Sequence, residues 1–230
     1  MSLKIVTYHY VRPIKNSDYP NIKGLELDNF CNQLDYFKKK YNILKFQDIF
    51  EFITEGIKIP KNSLWLTFDD GYNDHYKYVL PELLKRKIQG TFFPPAKPII
   101  NKKLLDVNAI HFILEKINNS SELINSLKED CKRESINSLE FNNFWNNTDK
   151  NSRYDDENTI FFKRMLQRLL PEETRSIIIT RLLEKYLKVD ETTFCNDLYM
   201  SENDVKSLLS EDMFLGSHTY NHFWLNSLTY

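Results

Sequence analysis

Ser63-Leu64-Trp65-Leu66-Thr67-Phe68 is a nearly continuous apolar run, cut off by Asp69-Asp70-Gly71. A run with so little polar alternation reads as a strand buried on both faces, as in a parallel sheet. Upstream, Lys4 to Tyr8 also reads as a strand. After the loop containing Pro13 and Pro20, Asp28 is placed to N-cap a helix whose Phe30, Leu34 and Phe37 recur at helical spacing. Ile43 to Phe46 reads as a short strand, and Asp48 to Thr54 as a second helix stopped by Gly56. Downstream, a helix from about Asp74 to Lys87 leads to the strand Gly90-Thr91-Phe92-Phe93, closed by Pro94-Pro95. Short apolar runs alternating with helical periodicity place the chain in the α/β class.

The pattern then changes. From Lys103 to Leu187 the apolar positions follow helical spacing, with polar joints near Asn118 to Ser121 and Asn142 to Ser152. This reads as a helical insertion, at about 103–200, within one domain covering residues 1–230. Asp204 to Leu209 reads as a final helix, after which Met213-Phe214-Leu215-Gly216-Ser217 resumes the strand pattern and delivers His218. At 230 residues, 41% of them hydrophobic, the chain is long enough to bury a core and short enough for one domain to be the default.

Lys and Arg number 31 against 32 for Asp and Glu, so the net charge of -1 gives no electrostatic reason to expect nucleic acid or an anionic membrane as partner. A neutral or mixed-charge ligand fits better. Cys31, Cys131 and Cys195 are far apart with no CxxC pair, and they read as free thiols rather than a disulfide framework. No segment reads as a membrane span or a signal-peptide core, which as given implies a soluble, cytoplasmic chain. If Met1-Ser2-Leu3 stands in for a removed leader, the location is instead extracytoplasmic.

Three polar positions stand where a strand is expected to end: His9, the pair Asp69 and Asp70, and the pair His218 and His222. In α/β barrels such ends converge on the active site. Two imidazoles four positions apart can point to one side of a single turn and bind one cation. A carboxylate from another strand completes a three-ligand set with a coordination position left for water. The metal lowers the pKa of that water, and a neighbouring carboxylate takes its proton during attack on a carbonyl. Adjacent aspartates can divide these roles, one as ligand and one as base, and Gly71 lets the chain turn sharply beside them.

Thr67-Phe68-Asp69-Asp70-Gly71 and Ser217-His218-Thr219-Tyr220-Asn221-His222 resemble two signature motifs of the polysaccharide deacetylase family, the NodB-homology domain of carbohydrate esterase family 4. The resemblance implies a distorted (β/α) barrel, with Asp69 as general base and Asp70, His218 and His222 as ligands of a divalent metal. Zinc is expected, with cobalt, nickel or manganese as alternatives. Val6-Thr7-Tyr8-His9-Tyr10-Val11 resembles the opening of a subgroup acting on poly-N-acetylglucosamine, in which an N-terminal histidine is the catalytic acid; by that resemblance His9 is the acid here. The family's later motifs have no counterpart before Tyr230. The barrel is therefore expected to be incomplete at its C-terminal end, with an exposed sheet edge near Met213 to Ser217 that invites self-association.

The expected function is metal-dependent hydrolysis of N-acetyl groups from the amino sugars of a glycan. The alternatives are a metal-dependent O-acetyl esterase and a truncated, non-catalytic glycan-binding remnant of the same fold. Other residues have ordinary readings. His75 is expected on the helix after the aspartates, His111 within the helical insertion, and Trp65, Phe92 and Phe93 in the core. Tyr72 either shapes the site or packs, and Trp224 either lines a sugar groove or packs.

Overall fold

The structure is a computed structural model that describes residues 3–117, 119–223 and 225. The chain divides into two compact units, one formed by Met1–Lys103 with Thr192–Tyr230 and the other by Leu104–Glu191.

The first unit is built on a parallel sheet. Its strands are β1 (Leu3–Tyr8), β4 (Asn42–Ile43), β5 (Ser63–Asp69), β6 (Thr91–Phe93) and β7 (Phe214–Leu215), and every pairing among them is parallel. β5 is bonded along almost its whole length to β1, near its start to β4 and near its end to β6, and β6 carries β7. Two short strands, β2 (Val11–Arg12) and β3 (Leu25–Glu26), form a separate parallel pair. This is an α/β arrangement of parallel strands and helices. Among the described residues β1 and β7 lie at the two ends of the sheet, with no ladder joining them into a closed barrel.

β5 is covered on both faces, as its unbroken apolar run requires. Leu64, Leu66 and Phe68 are fully buried, and Ser63 and Thr67 on the opposite face are buried as well. The polar groups there find partners: Thr67 donates to Thr7 Oγ1 at 2.9 Å, and Trp65 Nε1 donates to Thr91 Oγ1 at 2.8 Å. Phe68 stacks on Phe92, with ring centroids 4.7 Å apart, and on Tyr8 at 5.3 Å. Phe30 and Leu34 of α1 (Leu27–Lys40) pack into the same core.

Several element boundaries differ from the sequence reading. α1 begins before Asp28, which lies in its first turn rather than at its N-cap. α2 (Phe46–Thr54) starts two residues before Asp48, whose carboxylate reaches back to accept the Lys45 N–H at 2.8 Å. The strand expected over Ile43 to Phe46 is therefore only Asn42–Ile43. The helix expected from Asp74 to Lys87 opens with a π-helical turn, His75–Val79, before α3 (Leu80–Arg86). Pro81 has no N–H to give the Lys77 carbonyl, and the Leu80 N–H bonds to the His75 carbonyl five residues back. α4 (Ala96–Asn101) follows β6.

The second unit is helical: α5 (Asp106–Lys116), α6 (Ser120–Arg133), α7 (Ser138–Asn147), α8 (Glu157–Arg164), a π-helical turn at Met165–Leu169, and α9 (Glu172–Leu187). α7 runs through the first half of the joint expected at Asn142 to Ser152, because Asn137 and Glu140 form a capping box and Phe141 is buried. His111 lies in α5, partly buried. α10 (Glu191–Leu198) and α11 (Glu202–Ser210) lead to β7, the latter capped by Ser201 and Asp204. Cys31, Cys131 and Cys195 are not joined in disulfides. No helix among the described residues is long and apolar enough to cross a membrane.

Candidate metal and catalytic site

Because β1, β5, β6 and β7 run parallel, the residues after each of them lie at one end of the sheet. The register sharpens this. Tyr8, the last residue of β1, is level with Phe68, so His9 follows β1 beside Asp69, the last residue of β5, while Asp69 is level with Phe93 and Phe92 with Leu215. Beyond β7 the Gly216 N–H bonds to the Phe92 carbonyl at 2.8 Å and the His218 N–H to the Pro94 carbonyl at 3.4 Å. A Cβ on Gly216 would lie 2.3 Å from the Phe93 ring, so this close approach depends on glycine.

After β5 the chain turns through Asp70 and Gly71, both in the left-handed region at φ 71° and 65°. Glycine adopts that region freely, and aspartate does so more readily than most residues. The turn drives the Asp70 side chain into the interior, where it is 2% exposed. Its Oδ1 lies 3.5 Å from His218 Nε2 and 3.4 Å from His222 Nε2, and its Oδ2 accepts the Tyr72 hydroxyl at 2.5 Å. The two imidazole centroids are 4.7 Å apart. One donor atom from each of Asp70, His218 and His222 falls within 4.8 Å of the others, a spacing one cation can bridge. Two imidazole nitrogens and one carboxylate oxygen are the donor set of an open catalytic zinc site, so these residues fit such a metal. His218 and His222 do not share a helical turn: Thr219 and His222 have positive φ, and a loop brings the rings together.

Asp69 is partly buried beside this group. Burial pushes its carboxyl pKa up, opposed chiefly by His218 and His9 and reinforced by Asp70. His218 is pushed down by burial, with Asp69 and Asp70 opposing. His9 thus lies close enough to act electrostatically on both Asp69 and His218, while its own side chain is exposed.

The segment carrying His9 is tied to the turn after β5 by residues that periodicity did not single out. The His75 imidazole, fully buried, bonds through Nε2 to the His9 carbonyl at 2.9 Å. Arg12 Nε donates to Asp74 Oδ2 at 2.7 Å, and Asp74 also accepts the Val11 N–H. Tyr72 is fully buried, stacked on Tyr10 at 4.1 Å and on Tyr199 at 6.0 Å. For Tyr10, Arg12, Tyr72, Asp74 and His75 the sequence signal is nearness to His9 or to the aspartate pair, whereas Tyr199, far along the chain, carries none. Trp224 lies outside the described residues.

Residues 56–143 match the polysaccharide deacetylase family model, a stretch that contains Asp69 and Asp70 and ends before His218. The resemblance read from the motifs therefore holds over that stretch. No curated protein sequence matches the chain. Among solved structures, the chain is similar to a de-N-acetylase from Aggregatibacter actinomycetemcomitans, at 21% identity and TM-score 0.38 over 42% of this chain; it spans 38% of that protein. It is also similar to the BpsB deacetylase domain from Bordetella bronchiseptica, at 13% identity and TM-score 0.44 over 95% of this chain and 55% of that one. For IcaB from Ammonifex degensii the values are 16% identity and TM-score 0.38, over 96% of this chain and 88% of the other.

Proposed function

We propose, on the premise of the polysaccharide deacetylase match, that this chain hydrolyses N-acetyl groups from the amino sugars of a glycan in a metal-dependent reaction. The observation that carries the reading is the meeting of Asp70, His218 and His222 within 4.8 Å of one another, next to Asp69 at the end of β5. A divalent cation held by these three, zinc or else cobalt, nickel or manganese, would polarise the amide carbonyl and acidify the attacking water.

Asp69 is the general base in this reading. Burial raises its carboxyl pKa, which moves it toward the range where a base can both take and return a proton near neutral pH. His9, leaving β1 level with Asp69, is the acid that protonates the departing nitrogen. Its backbone is held by His75 while its side chain remains exposed to an incoming sugar. An uncharged acetamido group also suits a chain whose net charge is only -1.

The test is to measure bound metal together with acetate release from N-acetylglucosamine oligomers and from an O-acetylated ester. Wild type should hold about one metal per chain and release acetate from the oligomers. Asp70→Ala, His218→Ala and His222→Ala should each lose most of the metal, since two donors hold an open-coordinated cation poorly. Asp69→Asn should keep the metal and lose turnover. Release from the ester alone would make the chain an O-acetyl esterase, and metal without either activity would leave a non-catalytic glycan-binding scaffold.

A further inference from the structure

We infer that Tyr72 is a positioning residue that makes Asp70 a single-oxygen ligand, an inference that rests on the metal site proposed above. A carboxylate can offer a cation one oxygen or both. Here the two oxygens have different surroundings: Oδ2 accepts the Tyr72 hydroxyl at 2.5 Å, while Oδ1 is the oxygen near His218 Nε2 and His222 Nε2. Rotation of the carboxylate to present both oxygens would break the Tyr72 bond inside the core, where water cannot replace it.

The tyrosine is itself held. Its ring is fully buried between Tyr10, stacked at 4.1 Å with planes 25° apart, and Tyr199, stacked at 6.0 Å with planes 17° apart. The backbone beside it is pinned as well: the Met200 N–H bonds to the Gly71 carbonyl at 3.0 Å, and Tyr72 forms an isolated antiparallel bridge with Tyr199. A rigid donor fixed on one carboxylate oxygen orients the ligand before the cation arrives, and hydrogen bonds of this kind behind metal ligands typically account for 10- to 100-fold in affinity.

The prediction contrasts two phenylalanine variants of the full chain. Tyr72→Phe keeps the ring between Tyr10 and Tyr199 and deletes only the hydroxyl. Tyr8→Phe deletes the hydroxyl of another buried tyrosine, one bound to Gln33 at 2.8 Å. With Zn²⁺ titrated into metal-free protein against a competing chelator, Tyr72→Phe should bind roughly 10- to 100-fold more weakly than wild type, and Tyr8→Phe should match wild type. With Co²⁺ the visible d–d absorption of Tyr72→Phe should change in intensity as the second carboxylate oxygen becomes available to the cation. Tyr8→Phe should leave the spectrum as it is.

Wild-type affinity and an unaltered Co²⁺ spectrum in Tyr72→Phe would overturn the positioning role and leave the metal site standing. No metal binding by wild type would overturn the metal site, and the role of Tyr72 with it. Should Tyr72→Phe fail to fold, Tyr10→Leu carries the test: it keeps the hydroxyl but removes the face that aims it. Weakened Zn²⁺ binding is expected there too, and unchanged binding would overturn the inference.

Discussion

His9, the acid proposed for this site, is held by its backbone rather than by its side chain. Its side chain is exposed between buried Tyr8 and Tyr10, and its carbonyl takes the bond from His75. Expelling an amine requires protonation, whereas an activated alkoxide departs more easily, and a general acid contributes about 10²–10⁴-fold. With His9 as the acid proposed above, His9→Ala should keep its metal, lose amide hydrolysis by that order, and lose far less on an activated acetyl ester. Equal losses on the two substrates would remove His9 from the mechanism. The aspartates and histidines could be picked out as candidates from residue type and spacing alone. The tie from His75 could not, because it joins residues 66 positions apart and depends on how the turn after β5 lies against the segment after β1.

The element that matters most is the end of β5. Its apolar run was legible because a strand covered on both faces has almost no polar alternation, and Asp69-Asp70-Gly71 marks its end without ambiguity. The sharp exit depends on Gly71, whose φ is 65° and where an added Cβ would meet Pro94 Cβ at 2.8 Å. Gly71→Ala is expected to cost roughly 1–2 kcal/mol from the left-handed backbone alone, with the collision against Pro94 in addition. Its melting temperature should fall and its Zn²⁺ affinity should weaken, because relief of the clash moves Asp70. An alanine variant with wild-type melting and affinity would show that the turn does not set the ligand. The helix after this turn was legible in extent but not in its opening π-helical turn, which pairs groups five residues apart around Pro81.

At the scale of the whole chain, folding must pay for a histidine buried as the neutral form. Burial lowers the His75 pKa from 6.5 to about 4; the His9 carbonyl and Asp70 oppose the shift, and His9 and Arg12 add to it. Above pH 6.5 the folded and unfolded chains both hold this imidazole neutral. As pH falls from 6.5 toward 4 the unfolded chain takes up a proton that the folded one does not, and up to roughly 3 kcal/mol of stability is lost; below 4 the loss levels off. His75→Gln retains an amide N–H able to reach the His9 carbonyl and has no titration in this window. Denaturant midpoints of metal-free wild type and His75→Gln at pH 7, 5.5 and 4 should converge as the pH falls. Parallel curves would show that His75 is not buried neutral.

The sequence by itself determined the βα alternation of the first unit, the helical character from about Lys103 to Leu187, the Asp69-Asp70-Gly71 turn, and the histidine pair after a late strand. Each of these is written in short-range periodicity or in a few adjacent residues. Only the tertiary structure decided which atoms face one another: Asp70 Oδ1 near the two imidazoles, Oδ2 on Tyr72, His75 on the His9 carbonyl, and Arg12 on Asp74. Such contacts follow from strand register and from which polar groups must find partners once buried. Both are settled by the packing of distant segments, which no local pattern records.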